Sequence, residues 1–168
     1  EGYDMGSKFC NLNIRGVTRA ALAAVKPEFC GYECAEGWLT VTSPLFEWGS
    51  TQKYAKELSA SLPAPVLSTE YYDDDYVEFA LYDSGKLVAK HVPVTYEDLP
   101  KKGGNAAWFL HTLDLNAMDE PLLKKVFSVT DCEQSVCLLE SLFGCPIWGV
   151  REEIRRPTKR HAVPLRKP

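Results

Sequence analysis

The stretch Tyr76-Val77-Glu78-Phe79-Ala80-Leu81-Tyr82-Asp83-Ser84-Gly85-Lys86-Leu87-Val88-Ala89-Lys90-His91-Val92 decides the fold. Val77, Phe79 and Leu81 alternate with Tyr76, Glu78 and Tyr82, the two-residue period of a strand with one apolar face. Asp83-Ser84-Gly85 supplies residues that tolerate a tight reversal, and Lys86 to Val92 returns as the partner strand. The expectation is an antiparallel hairpin with Val77, Phe79 and Leu81 inward and Tyr76, Glu78 and Tyr82 outward.

Three more strands are expected, two of them from the same period. Lys8 to Arg15 sets Phe9, Asn11 and Asn13 against Cys10, Leu12 and Ile14. Trp38 to Thr42 alternates in the same way, and Ala64 to Glu70 reads as a short strand. Between them, Thr18 to Lys26 is alanine-rich and stops at Pro27, which predicts a helix. Ser50 can cap a second helix whose Tyr54, Ala55, Leu58 and Leu62 share a face. Glu28 to Gly37 reads as a loop.

Beyond the hairpin the pattern becomes helical. Asn105 can cap a helix carrying Trp108, Phe109 and Leu113. Asp119, with Pro121 just inside, opens another carrying Leu122, Leu123, Val126 and Phe127. Thr130 and Glu133 match a capping box ahead of Val136, Leu139 and Phe143, and that helix should stop at Gly144 before Pro146. The predicted class is therefore α+β. It has a mixed, mostly antiparallel sheet of about five strands, helices packed on it and a C-terminal helical subdomain. Residues 1–150 form a single domain, with 8–92 mixed and 105–143 helical, followed by a tail at 151–168.

Composition narrows the class of function. The chain has 168 residues, 45% hydrophobic and 25% charged, so it can bury a core without staples. The net charge of −4 argues against a general nucleic-acid coat. That figure hides an asymmetry. Residues 151–168 hold seven bases against two acids, a net of +5, leaving twelve bases against twenty-one acids, −9, in residues 1–150. Arg151, Arg155, Arg156, Lys159 and Arg160 head this basic tail, and its prolines disfavour continuous helix. Such a tail can lie across its own acidic body or dock on an acidic partner or nucleic acid.

The acidic charge is concentrated. From Glu70 to Asp83 there are six acids and no base. Tyr71, Tyr72, Asp73, Asp74, Asp75, Tyr76 and Glu78 form the candidate partner-binding surface, since tyrosine rings beside carboxylates suit a guanidinium or ammonium group. The plain alternative is a solvated loop between two strands. The spacing does not match an EF-hand, whose loop needs Gly sixth and Glu twelfth. Six cysteines (Cys10, Cys30, Cys34, Cys132, Cys137 and Cys145) read as thiols rather than a disulfide framework. The three residues between Cys30 and Cys34 do not fit a zinc knuckle.

No catalytic motif stands out. Walker A, G-x-G-x-x-G, G-x-S-x-G and H-E-x-x-H patterns do not occur, and His91, His111 and His161 lie far apart in the chain. Lys101-Lys102-Gly103-Gly104 ahead of a helix is a weak anion-binding candidate. The acidic run followed by Phe79 to Leu87 resembles hairpins of small uncharacterised bacterial proteins, a likeness that carries no activity with it. The expected function is a non-enzymatic, cytoplasmic binding module facing a basic protein partner, an immunity protein being one such case. A small-molecule hydrolase or transferase is the alternative, and nucleic-acid contact through the basic tail is a third. No cofactor, metal, catalytic residue or membrane contact is expected, and the opening Glu1 to Lys8 lacks the apolar core of a secretory signal.

Overall fold

The computed structural model describes residues 8–73, 75–93, 105–115 and 120–148. Six strands form one antiparallel sheet: β1 (Lys8–Arg15), β2 (Cys30–Ala35), β3 (Trp38–Thr42), β4 (Val66–Tyr72), β5 (Tyr76–Asp83) and β6 (Lys86–His91). Their order across the sheet is β2-β3-β1-β4-β5-β6, so β1 lies between β3 and β4. Among the described residues five helices accompany them: α1 (Arg19–Val25), α2 (Thr51–Ser61), α3 (Ala106–Thr112), α4 (Glu120–Phe127) and α5 (Cys132–Phe143).

The hairpin from which the sequence reading started forms as expected. Asp83 pairs with Lys86, and Ser84 and Gly85 both take positive φ (54° and 79°), the two-residue reversal that matches strand twist. Its outer face differs from the expectation. Tyr82 is buried and the Glu78 side chain nearly so, because the sheet is covered on both sides rather than one. On one side, Leu12, Ile14, Leu39, Val41, Val66 and Ala80 pack against α1 and α2. On the other, Leu67, Val77, Phe79 and Leu81 meet α3, α4 and α5.

The sixth strand is the one the sequence reading missed. Within the predicted Glu28–Gly37 loop, Cys30 to Ala35 instead pairs with β3 through the Glu36-Gly37 turn. It is an edge strand with Cys30, Glu33 and Cys34 exposed, so it carries little apolar alternation. Gly31 allows α1 to lie close above it, since a Cβ there would sit 3.0 Å from Leu22 Cδ2.

Helix starts follow local chemistry with two corrections. Thr18 Oγ1 accepts from Ala21 N, and Asn105 Oδ1 from Trp108 N, as capping residues do. α5 is capped by Asp131, which accepts from Gln134 N at 2.8 Å, rather than by the predicted Thr130–Glu133 box. Ser50 makes no capping bond through its side chain. Gly144 ends α5 in the left-handed conformation, as expected. Asp119 and the Lys101-Lys102-Gly103-Gly104 stretch lie outside the described residues.

After Gly144 the chain crosses the sheet. Trp38 Nε1 donates to Phe143 O at the Arg15 end of β1, and Asn11 Nδ2 donates to Ile147 O midway along. The Trp148 ring then packs on Phe9 and Tyr71 at the far end, with centroids 5.5 and 5.2 Å away. Glu140 tethers this segment, its Oε2 accepting from Trp148 N at 2.8 Å.

Candidate functional site

The acidic run is not the loop between strands that the plain reading pictured. β4 continues to Tyr72 and β5 begins at Tyr76, so only residues 73–75 form the turn. Asp75 N closes it on Tyr72 O at 3.1 Å, and Asp73 takes φ 58°. Asp73 and Asp75 therefore stand at the tip of the β4–β5 hairpin. Asp74 lies outside the described residues.

Strand alternation divides the remaining candidates between the faces. Tyr72 and Tyr76 are cross-strand partners on the α2 side, as are Glu70 and Glu78. Tyr71 points the other way. It is 1% exposed and stacked on Phe9 at 5.0 Å, so it belongs to the core and not to the surface predicted for it. The Glu78 side chain is only 12% exposed and is neutralised by Lys90, reaching across from β6, so it too is withdrawn from a partner.

A residue absent from the sequence-based set completes the surface. Trp48, in the turn before α2, lies edge-on to Tyr76 with centroids 4.8 Å apart and tilted against Tyr72 at 5.7 Å. Trp48 is 46% and Tyr72 44% exposed. Two aromatics so open to solvent in one cluster are unusual among residues that normally anchor interfaces. Lys8 Nζ already stands 4.8 Å from the Tyr72 centroid, so this ring face accepts a cation. The Asp73 carboxylate has a shielded Oδ1 that receives no hydrogen bond from the described residues.

Glu70 holds the cluster together from beneath. Its Oε1 accepts from Gly49 N at 3.0 Å and its Oε2 from Thr51 N at 3.1 Å. The carboxylate thus takes the capping role expected of Ser50 and pins the turn that carries Trp48. Burial raises the Glu70 pKa above its ordinary value, and the backbone hydrogen bonds oppose that rise. Burial, followed by the nearby Glu78, pushes Tyr76 up to about 12, so its hydroxyl stays protonated and donates to Glu78 Oε1 at 3.5 Å.

A second concavity lies at the opposite end of β1. A cleft of about 810 Å³ is lined by Arg15, Cys34, Trp38, Glu140 and Cys145 among others. The Arg15 guanidinium stands 5.2 Å over the Trp38 ring. Burial pushes the Glu140 carboxyl up to about 7, against hydrogen bonds from the Trp148 and Ile147 backbone. Burial also drives the Cys145 thiol well above its ordinary value, which leaves it a poor nucleophile. Among the described residues the lining contains no histidine. His91 is buried between Phe79 and Phe127, and His111 is exposed on α3, so neither reaches the cleft.

No protein-family model, curated protein or solved structure matches this chain.

No disulfide joins any two cysteines among the described residues, and Cys30 and Cys34 are exposed on β2. No described helix is long and apolar enough to cross a membrane. The basic tail residues Arg151, Arg155, Arg156, Lys159 and Arg160 lie outside the described residues.

Proposed function

We propose that the protein is a non-enzymatic binding module that captures a cationic protein partner through Trp48, Tyr72, Tyr76, Asp73 and Asp75. The observation that carries this reading is the half-exposed Trp48–Tyr72 pair beside a carboxylate-bearing hairpin tip. The aromatic faces supply contact area and attract guanidinium or ammonium groups, while the aspartates add charge and on-rate. Tyr72 and Tyr76 sit on paired strands and so are placed before binding, which lowers the ordering cost. In this reading the protein works in the cytoplasm, where its thiols stay reduced.

A panel of arginine- and lysine-containing peptides, titrated against the full chain, tests the proposal. Binding should weaken as salt rises and should fall about tenfold or more in Tyr72→Ala or in Asp73→Asn/Asp75→Asn, with the fold unchanged by circular dichroism. Undiminished binding in both variants would remove the reading.

The cleft supports a second reading, a small-molecule hydrolase or transferase. Its specific support is Glu140, a carboxyl with a pKa of about 7 lining a cavity beside Arg15. Turnover of ester or phosphoester substrates that disappears in Glu140→Gln would favour it. Turnover that survives in that variant would sink it.

A further inference from the structure

We infer that the basic tail, residues 151–168, is itself the cationic segment that covers the Trp48–Tyr72–Tyr76 surface of the same chain, so an external partner must displace it. The inference rests on the proposed binding role of that surface and names its resident occupant.

Three observations converge on it. The segment after α5 runs along β1 from the Arg15–Trp38 end, past Asn11, to Phe9 and Tyr71. It therefore delivers the chain, at Trp148, to the end of the sheet where Tyr72 and the hairpin tip stand. Tyr71 and Tyr72 are adjacent in β4 on opposite faces, so the tail needs only to round the end of the sheet. The stretch from Trp148 to Arg155 spans up to about 24 Å when extended, which is ample to pass from one face of a single sheet to the other.

Charge makes the second case. The tail carries seven bases against two acids, and the body it leaves is −9. Asp73 and Asp75 follow Tyr72 at that end of the sheet, and Glu47 adjoins Trp48 in the same turn as a further exposed acid. Tethering raises the effective concentration of such a segment to the millimolar range, so weak individual contacts suffice.

The third observation is the surface's own chemistry. The Tyr72 ring already takes the Lys8 ammonium at 4.8 Å, while Trp48 stays half-exposed and able to receive an arginine plane. Coverage by the tail hides aromatic area that would otherwise face water.

The test uses the full chain. In one variant Arg151, Arg155, Arg156, Lys159 and Arg160 are all changed to Gln, and the indole N–H signal of Trp48 is followed by NMR after assignment with Trp48→Phe. We expect the Trp48 signal to differ between wild type and the neutralised variant. Raising NaCl from about 50 to about 500 mM should move the wild-type signal to the variant's position and leave the variant unchanged. A synthetic peptide of residues 151–168 should restore the wild-type position in the variant, and should bind wild type about tenfold more weakly because the tethered tail competes. Asp73→Asn/Asp75→Asn with the native tail should reproduce the shift.

Identical Trp48 signals in the two proteins, or a tail peptide that binds without moving Trp48, would overturn the inference. An unrelated arginine–serine repeat peptide separates the two proposals. If it moves Trp48 equally in both proteins while the tail peptide does nothing, the surface binds cations and the tail is not its occupant. If neither peptide moves Trp48 in the neutralised variant, both proposals fall.

Discussion

The Glu70 carboxylate, on the fourth strand, receives the backbone N–H of Thr51 at 3.1 Å and so caps a helix that begins nineteen residues earlier. Its second oxygen takes Gly49 N at 3.0 Å. A single buried side chain thereby joins the sheet, the start of α2 and the turn that presents Trp48. Removing it takes an acceptor from Gly49 N and leaves Thr51 N with only its longer bond to Glu47 O at 3.2 Å. Glu70→Ala is expected to cost about 2–3 kcal/mol in urea unfolding, and Glu70→Gln, which keeps one good acceptor, clearly less. In Glu70→Ala the Trp48 indole should also lose its fixed place beside Tyr72, read as a fall in its fluorescence anisotropy.

Glu70 and Glu78 stand directly opposite each other on neighbouring strands, an arrangement that repels unless a cation relieves it. Lys90 supplies that cation through its ion pair with Glu78, both side chains being largely shielded. Lys90→Met should therefore destabilise the protein by about 2 kcal/mol. Adding Glu78→Gln to that variant should recover most of the loss, because the second change removes the stranded charge. A double-mutant cycle in denaturant measures the coupling, and independent additive losses would contradict it.

Glu140 sets a pH dependence. Burial raises its carboxyl from the ordinary 4.5 to about 7, so the folded state holds the proton more tightly than the unfolded chain does. The stability contributed by that proton is complete below pH 4.5 and is lost as pH climbs through 7. The span between the two values corresponds to roughly 3 kcal/mol. Burial raises Glu70 as well, and its contribution has the same sign. Relative to wild type, Glu140→Gln should flatten the fall in unfolding free energy between about pH 4.5 and 7.5. A slope unchanged by the substitution would contradict the assignment.

Gly31 gives a steric prediction at the sheet edge. A methyl group there would meet Leu22 Cδ2 at 3.0 Å and Leu39 Cδ1 at 3.3 Å. Gly31→Ala should cost about 1–2 kcal/mol by pushing α1 off β2. Adding Leu22→Ala to that variant should cost less than Leu22→Ala costs the wild type, because it frees the space the new methyl needs.

The strands with a clear two-residue alternation were legible, and the central hairpin most of all. β2 was not. Its side chains are mostly exposed, Gly31 contributes none, and its pairing with β3 comes from the Glu36-Gly37 turn rather than from any apolar pattern. The binding surface was half legible. Residues 70–78 advertise their acids and rings, but alternation sends Tyr71 into the core, a consequence of strand pairing that the run's composition does not reveal. Trp48 was missed because only the Glu70 tether brings its turn to Tyr72. The cleft draws Arg15, Glu140 and Cys145 from separate parts of the chain. One signal for it was present in the sequence: Glu140 follows Val136 by four residues, a carboxylate set on the apolar stripe of α5.

The bond from Asn11 to Ile147 joins residues 136 positions apart, and Asn11 lies on β1, a central strand of the sheet. A ribosome releasing this chain exposes β1 early and β3 and β4 soon after, yet the far side of β1 stays uncovered until the last described residues emerge. During that interval Asn11 and Asn13 face water on the incomplete side, where their amides find solvent partners that an apolar strand would lack. Placing amides where the sheet must wait for its cover keeps an unfinished polypeptide from presenting a greasy central strand to its neighbours, so replacing Asn11 or Asn13 with leucine should lower soluble yield during synthesis more than it lowers equilibrium stability.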